Sequence, residues 1–392
     1  MARFLESITL TNFLSFGPEG TTLALEDVNV LVGANGSGKS NLIEAINVLR
    51  HAPRDIMQPL REGGGIREYL WRPQAGGGTS ATASLELAVN APFAGAQKAR
   101  YGIEFAPVQG GAPVVLEEWL FPEQETLAFF RAVRGSMYRN VPIDVPGHSL
   151  GSHGASEQID IMSSVLAQVK DPRGFREATK FAENLDASRM YRQWIVGPTC
   201  PLRIARRPDL PTSSLLENFE NFPARLATLK SIPAVKRRLL ELIKDVSPGF
   251  DDIEVVPEGG ALQVYLIEGD RKISSYRLSD GTLRYLMLLT IFLDPTPPPL
   301  IVIEEPEISL HPDVLPSLRD LILEASARTQ IIITTQSPTF LDAWTDHPSA
   351  VVVCEREGDS TTLERLVPEK LLDGDDGLGV RWNRGEIGGN RW

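Results

Sequence analysis

Cysteine is almost absent from this chain: Cys200 and Cys354 are the only two in 392 residues. They lie far apart and lack C-x-x-C spacing, which excludes a disulfide framework and a cysteine zinc site. Histidine is scarce as well, and His148 and His153 fall in Gly/Ser-rich sequence that reads as a solvated loop. No apolar run approaches the roughly 18 residues of a membrane span. The opening Met1-Ala2-Arg3-Phe4-Leu5-Glu6 has no apolar signal-peptide core, so the expected address is the cytoplasm, with no membrane partner. Positive charge is also in deficit. With 39 Lys/Arg against 51 Asp/Glu the net charge is −12, which argues against a protein that coats nucleic acid over its whole surface. Only residues 170–245 run the other way, with 15 basic and 9 acidic residues.

What the chain does contain is concentrated in one stretch. Gly33-Ala34-Asn35-Gly36-Ser37-Gly38-Lys39-Ser40 follows the apolar run Val28 to Val32 and opens a helical run from Asn41 to Arg50. This is G-x-x-x-x-G-K-[ST] in the strand–loop–helix setting that the motif requires. Its glycines let successive backbone N–H groups converge on phosphate oxygens, and the helix adds its positive dipole end. Lys39 is expected to reach the β- and γ-phosphates of ATP, and Ser40 to place its hydroxyl on Mg²⁺. Residues Gly33 to Asn41 form the expected nucleotide-binding set.

Around this loop the hydrophobic period changes along the chain. Residues 4–10 and Thr21 to Leu25 read as short strands. Ala83 to Val89, Tyr101 to Phe105, Val114 to Phe121 and Thr126 to Val133 read as an antiparallel meander with Gly/Pro turns. Glycine clusters at 63–65 and 76–78 flank an irregular piece, and Gly147 to Gly154 suggests a boundary. From about 155 to 246 the spacing becomes helical, with Ile159, Met162, Leu166 and Val169, then Leu226, Leu229, Val235, Leu239, Leu242 and Ile243. Prolines at 198, 201, 208 and 211 break the middle, which excludes a long coiled coil. Strands resume at Ile253 to Val256 and Leu262 to Ile267. The expected organisation is 1–150 as the first part of an α/β head, 151–250 as a helical insertion, and 251–392 as the rest of the head.

Two further stretches carry chemistry. Leu300-Ile301-Val302-Ile303 reads as a strand buried on both faces, with Glu304-Glu305-Pro306-Glu307 at its C-terminal end, where parallel α/β sheets bind ligands. Glu304 is the candidate for holding Mg²⁺ through water, and Glu305 for polarising the attacking water as general base. Upstream, Leu278-Ser279-Asp280-Gly281-Thr282-Leu283-Arg284 reads as a helix N-terminus capped by Ser279 or Asp280.

The order of phosphate loop, L-S-x-G-x element, acidic strand and a final Ile331-Ile332-Ile333-Thr334-Thr335-Gln336-Ser337-Pro338 resembles the ABC-type ATPase heads of the RecF, SMC and OLD families. It is most similar to short AAA ATPases of that group without a long coiled coil. Glu305-Pro306-Glu307-Ile308-Ser309-Leu310-His311-Pro312 resembles their E-P-E-x-x-L-H-P stretch, which leads into a D-loop at the dimer interface. Arg384 to Trp392 resembles how such chains end. The resemblance implies a P-loop NTPase fold, with a mixed central sheet and an antiparallel meander, that dimerises with ATP sandwiched between heads. Ser279 and Gly281 would then bind the γ-phosphate of nucleotide held by the other protomer. The sequence departs from the family in two places. Glu304 stands where Asp is usual, and Gln336 stands where a switch His is usual; glutamine can orient water but not exchange a proton. Gln58 is a weak candidate for the Q-loop.

The function implied is an ATPase motor or switch in a DNA-related process, repair or defence, working as a head dimer or a higher oligomer. Only about fifty residues follow Gln336, too few for the metal-binding Toprim domain of OLD nucleases, so a separate effector or nuclease subunit is expected. The rival reading is a nucleotide-gated oligomeric scaffold with little hydrolysis. No N-K-x-D base-reading motif occurs, which disfavours a GTPase.

Overall fold

The structure is a computed structural model that describes residues 3–73, 78–90, 98–108, 110–123, 127–139, 156–370 and 376–389. The expected boundary at Gly147 to Gly154, the pair Gly76-Gly77, His148, His153 and the last residues Asn390 to Trp392 lie outside the described residues.

A six-stranded sheet carries the architecture, in the order Arg189–Tyr191, Leu300–Glu304, Gln330–Thr335, Val28–Val32, Val351–Glu357, Ser360–Arg365. Its strands run parallel except for the last, which pairs antiparallel with Val351–Glu357. The strand period of two sorts its side chains between two cores. Leu31, Leu300, Val302, Ile332 and Val352 face one core, together with Leu42, Ile43, Ile46 and Leu49 of the helix Lys39–Arg50. Val30, Ile301, Ile303, Ile331, Ile333 and Val353 face the other, against the helices Asp280–Phe292 and Leu315–Ser326. Each buried Leu or Ile contributes roughly 1.5–3 kcal/mol, and covering both faces is what permits the unbroken apolar strands.

The first core is closed by an antiparallel sheet. Its order is Thr21–Ala24, Leu5–Thr11, Ala83–Asn90, Lys98–Pro107, Pro113–Pro122, Phe130–Val133, Ser136–Tyr138, Glu157–Gln158. The expected meander is present, and the two N-terminal strands extend it. A separate three-stranded antiparallel sheet, Asp252–Glu258, Ala261–Glu268 and Arg271–Ser274, precedes the helix that Ser279 caps.

The stretch read as helical over 155–246 is less uniform than its spacing suggests. Helices occupy Arg176–Ala187, Phe222–Lys230 and Pro233–Val246, and Leu226, Leu229, Leu239, Leu242 and Ile243 are buried as expected. The first spacing fails: only Val165–Gln168 is helical there, and Met162 is 46% exposed. The middle contains a strand, Arg189–Tyr191, which pairs with Leu300–Glu304 and belongs to the central sheet. Three residues are too short to show a period, so tertiary pairing decided them.

Candidate functional site

The phosphate loop leaves the buried strand Val28–Val32 and turns into the helix Lys39–Arg50 through glycines in the left-handed region, Gly36 at φ 77 and Gly38 at φ 104. Gly38 is doubly required, because a Cβ there would also stand 2.3 Å from Thr361 Oγ1. That hydroxyl bonds the Ser37 carbonyl at 3.1 Å and Ser15 Oγ at 2.7 Å. The Asn41 amide donates to the same Ser15 hydroxyl at 2.7 Å. The Ala34 amide donates to the Gly389 carbonyl at 2.6 Å, so the C-terminal segment braces the loop from the far side. The amides of Gly36 and Gly38 make no hydrogen bond to described residues, which leaves donors for an anion at the helix start.

Lys39 is buried, with its ammonium on the loop carbonyls of Gly33 at 2.5 Å and Ala34 at 2.9 Å. Burial lowers its pKa, and the Cys354 and Glu305 charges oppose that shift. The two strands that precede the phosphate-loop strand in the sheet order, Leu300–Glu304 and Gln330–Thr335, deliver side chains to the same place. One cleft is lined by Asn35, Gly36, Ser37, Gly38, Lys39, Ser40 and Asn41 on one side and by Glu304, Glu305, Thr334 and Gln336 on the other.

Within the cleft Gln336 Nε2 donates to Glu305 Oε1 at 2.6 Å. Glu305 has φ 48, a left-handed conformation uncommon for a residue other than glycine. Several groups hold the chain in this turn. The Glu305 amide donates to the Thr334 carbonyl at 3.0 Å. The buried Arg284 guanidinium donates to the carbonyls of Glu305 and Pro306, and lies 4.1 Å over the Trp194 ring. Trp194 in turn donates its indole N–H to the Glu304 carbonyl at 2.7 Å. Burial lowers Arg284 to about 10, with Glu307 and Glu305 opposing. Glu307 is buried behind the turn, accepts a bond from Thr335, and is raised by burial to about 7.

The structure brings Asn35 to Asn41, Glu304, Glu305 and Gln336 to one cleft, whereas Gly33 and Ala34 are not part of its lining and instead offer their carbonyls to the Lys39 ammonium. It does not bring Ser279 or Gly281 to this cleft. Ser279 caps the helix Asp280–Phe292, accepting from the Thr282 amide at 3.1 Å. A Cβ on Gly281 would meet the Ser309 carbonyl at 2.5 Å, so close approach of the following acidic turn also requires glycine there. Gln58 is exposed on the short helix Met57–Glu62, bonded to Glu62 at 2.9 Å, and does not reach the cleft. The residue that sequence reasoning missed is Arg192, just beyond the edge strand. Its Nε donates to Glu304 Oε1 at 2.6 Å and its Nη1 to Glu44 Oε2 at 2.5 Å. Burial works to lower its pKa, but Glu304 and Glu44 outweigh it and raise the guanidinium. No motif announces Arg192; Glu44, likewise not singled out, lies four residues after Ser40 on one helix face, and that spacing is the signal that could have flagged it.

The donor set suits Mg²⁺. Ser40 and Glu304 offer hard oxygens, and among the described residues no group of three or more His, Cys, Asp or Glu is placed as a dedicated metal cage. Mg²⁺ bound with a nucleotide needs only one or two such protein ligands, because phosphates and water supply the rest.

A phosphate loop, an acidic strand end and a switch strand on adjacent parallel strands, with an antiparallel sheet over one face and a Ser-capped helix on the other, define an ABC-type P-loop ATPase head. The family described as "AAA domain, putative AbiEii toxin, Type IV TA system" matches residues 28–131 and 202–342. That is more than half of the chain, and the chain belongs to this family. Among curated proteins none matches it in sequence. Among solved structures, an Smc head bound to the C-winged helix domain of ScpA is similar, at 17% identity and a TM-score of 0.60 over 94% of this chain and 100% of that one. The Smc head domain with an extended coiled coil from Pyrococcus furiosus, bound to the C-terminal domain of ScpA, gives 16% identity and a TM-score of 0.56 over 94% and 97%. The SMC head domain from Thermotoga maritima gives 15% and 0.50 over 93% and 99%. At such identities the likeness is one of fold. The protein thus carries an AAA-type ATPase domain with the fold of an SMC head. No helix among the described residues is long and apolar enough to cross a membrane.

Proposed function

We propose that this chain hydrolyses ATP between two copies of itself and uses the cycle of closing and opening as a switch. The observation that carries the reading is a division of labour. One cleft joins Lys39, Ser40, Glu304, Glu305 and Gln336, while Ser279 and Gly281 sit on a different element, away from their own phosphate loop. A half-site of this kind is completed by a second copy. Lys39 and the loop amides hold the phosphates, Ser40 and Glu304 hold Mg²⁺, Glu305 accepts the proton of the attacking water, and Gln336 holds the Glu305 carboxylate in place. The metal neutralises phosphate charge when bound.

A role on DNA and a separate effector subunit remain part of the proposal through the family resemblance, and the ScpA-bound Smc heads support docking of a second protein. The basic excess of 170–245 lends little to DNA contact, since much of it is spent internally. Arg203 pairs with Asp280, Arg225 with Asp294, Lys236 with Asp252, and Arg238 with Glu241 and Glu324. The scaffold reading is favoured by the two departures from the family pattern, Glu304 for the usual Asp and Gln336 for the usual switch His. The test is an ATP-dependent crosslink between copies near His311, which is exposed. Ser279→Arg should retain ATP binding at its own loop and lose the crosslink. Undiminished crosslinking in that variant would remove the trans-acting assignment.

A further inference from the structure

Glu304 ends its strand with a carboxylate one methylene longer than the aspartate usual in the families it resembles, and a longer side chain has more rotamers to lose before it can hold a metal-bound water. In this structure it is not left to wander. Arg192 Nε donates to Glu304 Oε1 at 2.6 Å, and Trp194 Nε1 grips the carbonyl of the same residue at 2.7 Å. The other arm of the guanidinium reaches Glu44 Oε2 at 2.5 Å. Glu44 is held in turn: its second oxygen accepts from Asn47 Nδ2 at 3.2 Å and lies 3.2 Å from the Tyr69 hydroxyl, whose proton has a shorter acceptor in the Pro59 carbonyl at 2.9 Å. Glu44 also stands one turn beyond Ser40 on the same face of the phosphate-loop helix. Arg192 therefore spans the two elements that supply the two candidate metal ligands, Ser40 from the helix and Glu304 from the strand.

We propose that Arg192 is a positioning residue which, by bridging Glu44 to Glu304, holds the Glu304 carboxylate in register with Ser40 and so sets the Mg²⁺ dependence of nucleotide binding. The bridge needs two nitrogens at fixed separation. Arginine offers them in a rigid fork, whereas lysine is a single point charge. A role of charge alone predicts the opposite behaviour, because removing a cation from between two carboxylates strengthens their attraction for Mg²⁺.

This inference rests on the ATPase reading, and the experiment separates the two. Binding of a fluorescent, non-hydrolysable ATP analogue is measured at equilibrium while Mg²⁺ is titrated, and again in EDTA, on wild type, Arg192→Lys, Arg192→Met, Glu44→Gln and the Arg192→Met/Glu44→Gln pair. Thermal denaturation confirms folding, and Glu44→Gln, which keeps its volume, guards against a misfolded arginine variant. Both arginine variants should need about tenfold more Mg²⁺ for half-saturation, with binding in EDTA unchanged. Glu44→Gln should shift the same way by a smaller factor, and the pair should be no worse than Arg192→Met alone. Unchanged Mg²⁺ dependence in Arg192→Met, a tighter one, or a Lys variant that behaves as wild type would each overturn the bridge. Wild-type protein that binds no analogue would overturn the ATPase reading, and the bridge with it.

Discussion

Glu305→Gln takes away a proton acceptor and keeps the shape of the side chain. The residue is half-buried at the end of the acidic strand, with Oε1 accepting from Gln336 Nε2 at 2.6 Å. The amide oxygen of the new glutamine can accept the same bond. The local loss is then a charge-assisted bond weakened to a neutral one, about 1 kcal/mol, which is too little to unfold a domain stable by several times that. Removing a general base costs roughly 10²–10⁴-fold in rate, or ~3–5 kcal/mol of barrier at about 1.36 kcal/mol per tenfold. Affinity for ATP should change far less, since Lys39 and the loop amides are untouched. The assay pairs steady-state phosphate release with equilibrium ATP binding on the same preparation. A variant that releases phosphate at the wild-type rate would refute the general-base assignment. So would one that no longer binds ATP, because Glu305 would then be holding nucleotide and not activating water.

Two other outcomes are expected. Lys39→Ala should remove tight ATP binding and leave the melting temperature close to wild type, since among the described residues the ammonium bonds only to loop carbonyls and the Ser37 hydroxyl; equal ATP affinity in both proteins would sink the phosphate-loop assignment. Glu118 lies fully buried on the meander strand Pro113–Pro122, and burial raises it to about 7 against the Ser164, Val165 and Tyr101 donors that lower it. A carboxyl raised in the fold keeps a proton that the unfolded chain gives up, so stability falls as pH climbs from about 4.5 to about 7 and then levels off. Glu307 adds a slope of the same sign. Glu118→Gln should remove its share, seen as a shallower melting temperature against pH, and an identical slope would count against the shift.

The sequence by itself determined the parts whose signal is local. A phosphate loop must place its glycines, lysine and serine at fixed intervals along one turn, so Gly33 to Ser40 was readable, and its strand Val28–Val32 came out with the boundaries expected. The run Leu300 to Ile303 announced a strand covered on both faces, and the cap expected at Ser279 or Asp280 is formed by Ser279. Leu239, Leu242 and Ile243 kept helical spacing because one face of their helix is buried. Only the tertiary structure decided how these pieces meet. Gln336 finds Glu305 because their strands are parallel neighbours, a pairing that chain order does not encode. Arg189–Tyr191 is a strand only because Leu300–Glu304 offers it an edge, and that pairing carries Arg192 across 112 positions to Glu304. Arg284 and Trp194 meet over the acidic turn for the same reason. Spacing along the chain records what one element needs for itself; contacts between elements depend on sheet order and on which face each side chain leaves, and these exist only once the two cores have closed.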